Sequence, residues 1–390
     1  MTIWETLDQA PVLLKHWLVG LVPEPLQWLT SILVSGVAVI AVFATLFALI
    51  VLLERKGLGR MQNRYGPNRV GPWGLLQPVA DGIKMLIKED VVPRGADKVL
   101  HLLAPVVLVA GSLLVLAVLP VGRGLAAIDF ELGVLLFFAI GASSELAVFM
   151  AGWGSRNKFA LLGSLRAIAQ MISYELPLVI AAVPVVFMAG TLDASRIVDA
   201  QQGGFWHWFV ATPWGLPAFV MFLVCALAES NRCPFDLPEA ESELIAGHLT
   251  EYSGFKYALF FMAEYFGMMA ISGLAITLFL GGWHAPLPVL GFLPGWLWFF
   301  AKLLALVWLF IWVRATLPRL RADQLMDLAW KFLLPLALLN LVVAGVWAKG
   351  GPRWGWLAAL AVLVPSIAGL GRLLRGIRPR GGRRVYQYVE

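Results

Sequence analysis

Long apolar runs, each broken off by a polar or Gly/Pro-rich stretch, repeat along the 390-residue chain. About nine of them approach the roughly 20 residues that a helix rising about 1.5 Å per residue needs to cross a hydrocarbon core about 30 Å thick. They lie near 32–53, 99–119, 132–153, 164–189, 209–229, 257–280, 296–313, 327–348 and 354–371. In lipid every backbone N–H and C=O must be satisfied within the segment, so the pattern predicts an all-α polytopic membrane protein with about nine spans. It divides the chain into an N-terminal interfacial segment, 1–31, and a core, 32–348, with polar loops at 54–98, 230–256 and 314–326. A C-terminal part, 349–390, adds a further helix and a basic tail.

One stretch follows a different period. After the paired turns Gly66-Pro67 and Gly71-Pro72, apolar Leu75, Leu76, Val79, Ile83, Leu86 and Ile87 recur at helical spacing, with Gln77, Asp81, Lys84 and Lys88 on the other side. This predicts an interfacial amphipathic helix, too short and too polar on one face to span. It serves either as an anchor or as one wall of a crevice open toward the membrane interior, suited to an amphiphile with a polar head and an apolar tail.

Composition agrees: 60% of residues are hydrophobic and only 14% charged, with a mean hydropathy of +0.79, which excludes an ordinary soluble domain. Charge then sets orientation. The loops after the odd-numbered runs and the C-terminal tail carry most of the Lys and Arg. The other face holds Lys15, Arg123, Arg196, Lys349 and Arg353. The positive-inside rule puts the N-terminus outside and the C-terminus in the cytoplasm. Glu5 and Asp8, with no basic stretch leading into a cleavable apolar core, predict that no signal peptide is removed. The net charge of +6 belongs to this topology and to anionic lipid, and no nucleic-acid partner is expected.

Candidate chemistry is restricted. Cys225 and Cys233 are the only cysteines, and His16, His101, His207, His248 and His284 are dispersed. Neither an iron–sulfur cluster, a four-cysteine zinc site nor a haem clamp is expected, so any electrons come from a partner. Gly66-Pro67-Asn68-Arg69-Val70-Gly71 has the glycine spacing of a phosphate loop, but Pro72-Trp73 stand where Lys and Ser or Thr are needed. The acids carry more. Glu175 and Glu264 fall inside apolar runs, where a charge requires a partner or a wet cavity. Arg166, Gln170 and Tyr174 form a stripe toward Glu175, and Glu145 lies on a neighbouring run. A proton or ion path and purely structural pairing are both open. Asp236, Glu239, Glu241, Glu243 and Glu251 crowd a loop rich in Leu, Ile, Phe and Pro, where mutual repulsion in a partly dry setting favours proton exchange near neutral pH.

The motifs together resemble a known family. Glu54-Arg55-Lys56, Gly66-Pro67-Asn68 and "VGPWGLLQPVADGIKMLIKED" are followed in order by "MAGWGSRNKFALLGSLRAIAQMISYE", "AESNRCPFDLPEAESELIAG", "FFMAEY" and "WVRATLPRLRADQLM". This series, covering about residues 32–345, is similar to the quinone-site membrane subunits of respiratory complex I, the proton-translocating NADH:quinone oxidoreductase. The resemblance implies a quinone substrate, ubiquinone or menaquinone, and no metal, haem or flavin bound by this chain. It implies partners among the hydrophilic-arm iron–sulfur and quinone-site subunits and the antiporter-like membrane subunits. Arg55, Arg64, Asp81, Arg232, Asp236 and Glu239 become candidates for the quinone chamber and its acidic loop. Glu175, Glu229, Glu241 and Glu264 become candidates for a buried proton path. His248 departs from the family, which usually has an aromatic residue at that place. An anchor subunit of a membrane-bound hydrogenase and a stand-alone ion transporter are the alternative readings.

Overall fold

The computed structural model describes residues 3–237 and 246–376, and every regular element among them is helical. An N-terminal helix α1 (Ile3–Gly20) precedes a 35-residue α2 (Gln27–Met61). Then come the short α3 (Gln77–Ile87), α4 (Lys98–Val118), α5 (Gly133–Gly141), α6 (Ser143–Gly154) and the 32-residue α7 (Lys158–Ala189). They are followed by α8 (Ala194–Asp199), α9 (Gly215–Glu229), α10 (Gly254–Phe279), α11 (Gly295–Thr316), α12 (Ala322–Asp327) and α13 (Leu334–Gly376).

Helix starts follow local chemistry. Asp97 accepts from the Val99 and Leu100 amides at the head of α4, Asn157 from Phe159 at α7, and Asp193 from Ser195 and Arg196 at α8. Each satisfies amide groups that the first turn leaves unpaired. Helix α3 begins with Pro78 in its first turn, where no N–H is needed. Gly74, with φ +77°, brings the preceding turn so close to the Pro67 carbonyl that a Cβ there would lie 2.3 Å from its oxygen. That approach lays α3 beside the end of α2.

The core centres on α10, which packs against α2, α4, α7, α9 and α11. Phe260, Phe266 and Phe279 of this helix are fully buried. Helices α2, α3 and α4 turn rows of Leu, Ile and Val outward, as lipid-facing helices do.

The span count differs from the sequence expectation. Seven helices among the described residues are long and apolar enough to cross a membrane, and α9, at 15 residues, is shorter. The runs at 327–348 and 354–371 are not separate helices: a π-helical turn, Leu328–Leu333, leads into a single 43-residue α13. Gly350-Gly351-Pro352, between the two runs, lies within this helix. The segment expected merely as interfacial contains α1, whose Leu13, Leu14 and Trp17 are exposed.

Candidate functional site

Three groups of polar side chains lie on or within this frame. The first surrounds Glu54, near the end of α2. Its carboxylate is buried, with Oε1 accepting from Arg232 Nη1 at 3.3 Å and from Arg314 Nη1, and Oε2 accepting from the Tyr265 hydroxyl at 2.5 Å. The Arg232 guanidinium also stacks 4.3 Å from the Tyr265 ring centre. One acid thus joins α2, the segment after α9, α10 and α11, each of its oxygens held by charge-assisted or hydroxyl bonds.

The second group is at the surface, where α3 lies beside the end of α2. Arg55 Nη1 bonds Asp81 Oδ2 at 2.5 Å, Gln77 Nε2 bonds Asp81 Oδ1 at 3.1 Å, and Lys56 donates to the Trp73 carbonyl. Arg55 is about half exposed, so its head is available to a ligand. Ser253 Oγ accepts from the Val91 amide and donates to the Glu89 carbonyl, and Lys256 pairs with Asp90 at 2.8 Å. These contacts tie the chain after α3 to the start of α10.

The third group is a cavity of about 120 Å³ among α4, α5, α6, α7, α9 and α10, lined by Glu175, Glu229, Glu264, Ser143, Ser144 and His248 among others. Glu145 on α6 faces Glu175 on α7, carboxyl group to carboxyl group. Glu145 Oε1 and Glu229 Oε2 are buried without a hydrogen-bond partner among the described residues. A cavity of this size, apolar over most of its lining, has room for several waters next to these acids. His248 is placed there by a close backbone crossing, since a Cβ on Gly163 of α7 would stand 2.6 Å from the Gly247 Cα. Its ring packs edge-on to Phe260, its Nδ1 has no partner, and burial pulls its pKa down to about 4, so it is neutral.

The site residues expected from sequence are therefore distributed. Arg55 and Asp81 meet. Arg64 does not join them; its Nε bonds Gln62 at 2.8 Å. Arg232 serves the Glu54 group, and Asp236 pairs with Arg319 at 2.8 Å. Glu175, Glu229 and Glu264 share one cavity with Glu145 beside them, whereas Glu239 and Glu241 lie outside the described residues. The Arg166, Gln170, Tyr174 stripe does not run to Glu175. Gln170 donates to the Ala228 and Phe235 carbonyls, and Tyr174 donates to that of Leu325, so these side chains fasten backbone.

Sequence reasoning missed the Glu54 group. Its partners stand 178, 211 and 260 positions away, and the only local sign was an acid at the close of an apolar run. It also missed Lys302. That ammonium donates to the carbonyls of Leu280, Gly282 and His284 beyond the end of α10, and lies 4.1 Å from the Trp208 ring centre.

A multi-pass helical membrane protein with a buried carboxylate cavity, and an arginine–aspartate pair beside a surface helix, is the class these features define. The chain belongs to the NADH dehydrogenase family, whose model matches residues 34–345. It is 51% identical over 298 residues to the H subunit of the NADH-quinone oxidoreductase of Anoxybacillus flavithermus, covering 76% of this chain and 87% of that one. Against the corresponding H subunit of Geobacillus kaustophilus the identity is 49% over 333 residues, 82% of this chain and 97% of the relative. The NADH-quinone oxidoreductase H-subunit 2 of Koribacter versatilis is 46% identical over 340 residues, 80% and 96% of the two chains.

Proposed function

We propose that this chain is a membrane subunit of a bacterial NADH:quinone oxidoreductase, taking part in quinone binding and in coupling quinone reduction to proton translocation. The names of its relatives support the enzyme and imply a quinone and the other subunits of that complex. Its helices support a multi-pass inner-membrane protein. In this reading loops 54–98, 230–256 and 314–326 face the cytoplasm and the N-terminus the periplasm, and the hydrophilic iron–sulfur subunits and the antiporter-like membrane subunits are its neighbours.

The observation that carries the coupling role is the cavity in which Glu175, Glu229 and Glu264 converge, with Glu145 facing Glu175. Reducing a quinone to a quinol takes up two electrons and two protons. Negative charge arriving at the cytoplasmic end, near Arg55 and Asp81, changes which acids favour protons, because carboxylates in a low-dielectric setting respond strongly to neighbouring charge. The redistribution passes to partner subunits. Arg55 and Arg64 are the cations available to a quinone headgroup, with Asp81 fixing the orientation of Arg55.

The test is Glu175→Gln, which keeps shape and hydrogen bonding but abolishes titration. The complex assembles and oxidises NADH with a soluble acceptor as before, whereas quinone reduction and proton translocation in reconstituted vesicles fall by about tenfold or more. Wild-type rate and proton-to-electron ratio in this variant would show the acids to be structural.

A further inference from the structure

Arg232, just after α9, and Arg314, in the last turn of α11, both reach Glu54, so the opposite ends of these two helices lie on the far side of the protein from Arg55 and Asp81. Two irregular stretches occupy that side. Residues 200–214 lead into α9 and residues 280–294 join α10 to α11, and neither holds an Asp, Glu, Lys or Arg. Their backbone forms single 3-10 turns at Phe205–His207, Phe209–Ala211 and Pro288–Leu290. The stretches meet: the Phe205 amide donates to the Pro286 carbonyl at 2.9 Å, and a Cβ on Gly204 would lie 3.4 Å from the Pro288 ring.

Helix lengths put both below the membrane surface. Helix α11, at 22 residues, is about as long as the hydrocarbon core is thick. Lys302 stands about 10 Å along it from Gly295, and its ammonium donates to the carbonyls of Leu280, Gly282 and His284. The lysine stem recovers only part of that depth. Helix α9, at 15 residues, spans only about 22 Å. Its Phe219 and Phe222 rings each lie 5.6 Å from that of Phe279, the last residue of α10. Helices α9 and α10 therefore stop together, short of the level at which α11 begins.

Non-helical backbone at such depth has no water to bond and is tolerated only where protein groups satisfy it. Here buried side chains do so. Gln201, wholly buried, accepts from the Phe209 and Gly281 amides and donates to the Ile197 and Thr277 carbonyls. Thr212 Oγ1 accepts from the Gly215 amide at 3.0 Å and donates to the Phe209 carbonyl at 2.7 Å. Asn340 Nδ2 donates to the Trp214 carbonyl. The three protons of the Lys302 ammonium match the three carbonyls after α10, where the end of a helix favours a cation.

The same stretches turn apolar side chains outward: Phe205, Trp206, Leu287 and Val289 are 41%, 79%, 51% and 84% exposed. We propose that residues 200–214 and 280–294 form a re-entrant wall sunk in the leaflet away from Arg55 and Asp81, where Phe205, Trp206, Leu287 and Val289 contact phospholipid acyl chains. A loop in water needs no buried lysine and glutamine to serve its backbone. A docking face for another protein is closed by a polar rim, whereas these stretches carry no charged side chain. Aromatic residues near the end of a span suit the lipid boundary.

The experiment uses the assembled complex in nanodiscs of phosphatidylethanolamine and phosphatidylglycerol. The photo-crosslinker p-benzoylphenylalanine replaces Trp206 or, separately, Val289, and after irradiation the mass added to this chain is read by mass spectrometry. Both positions gain the mass of a phospholipid. In the same nanodiscs Trp206→Cys and Val289→Cys react with a charged, membrane-impermeant maleimide about tenfold more slowly than Arg123→Cys, on the exposed loop after α4, because only the thiolate reacts and an apolar setting disfavours it. Crosslinking to another subunit, the absence of a lipid adduct at both positions, or labelling as fast as at Arg123→Cys would overturn the proposal. The substituted side chains are exposed and the readouts involve no turnover, so the result is independent of quinone reduction and of the proton path.

Discussion

Glu54 and Glu175 are both acids held among helices, and the protein treats them in opposite ways. Glu54 has both oxygens filled, by two guanidinium groups and a tyrosine hydroxyl. Glu175 leans on another carboxyl group, and around it Glu145 and Glu229 each keep one buried oxygen unmet beside a cavity. A charge compensated from several sides has no reason to change protonation and fastens the elements that supply its partners. Acids that face one another beside a cavity are, in the proposed reading, the ones that exchange protons. Position within a helix does not separate these roles; the partners do.

Removing the fastening has the largest expected effect. Glu54→Ala removes the carboxylate that joins buried Arg232 to Arg314 and Tyr265, and breaking a buried pair in this way typically costs about 3–5 kcal/mol. The variant yields little assembled complex by native gel, with every activity lost in proportion. Normal assembly would mean that Glu54 belongs with the exchanging acids.

A case between the two regions is the half-exposed Arg55–Asp81 pair, whose loss costs the fold little. Arg55→Ala assembles, retains NADH oxidation with a soluble acceptor, and reduces quinone several-fold more slowly. Equal loss of both activities would reduce the pair to an anchor. The smallest effect is that of Tyr265→Phe, which removes one of the bonds to Glu54 while keeping the ring under Arg232. It lowers stability by about 1–3 kcal/mol, read as a modest fall in the melting temperature of the complex.

Much of this was legible in the chain. Apolar runs located the bundle, the helical period around Asp81 revealed α3, and three acids in or at the end of apolar runs proved to line one cavity. What stayed hidden depends on long-range geometry. Glu54 reads as the first residue of a polar loop until Arg232 and Arg314 are folded against it. Lys302 reads as an isolated cation until the carbonyls of Leu280, Gly282 and His284 gather around it. Gln170 and Tyr174 share a helical stripe that, by spacing alone, leads to Glu175, yet a small rotation about α7 sends them to backbone carbonyls instead. Gly350-Gly351-Pro352 has the composition of a turn and continues a helix.

Tyr265 and Glu264 are adjacent on α10, and the helix turns about 100° between them. The tyrosine meets the Glu54 group, and the glutamate lines the cavity. One turn of backbone is therefore a common axle for a clamp and for what is, in the proposed reading, a proton store. Any work done on it from one side is available on the other, and thermodynamic reciprocity makes the two directions equal: whatever a tightening of Arg232 on Glu54 does to proton affinity in the cavity, protonation there does to the grip of Arg232.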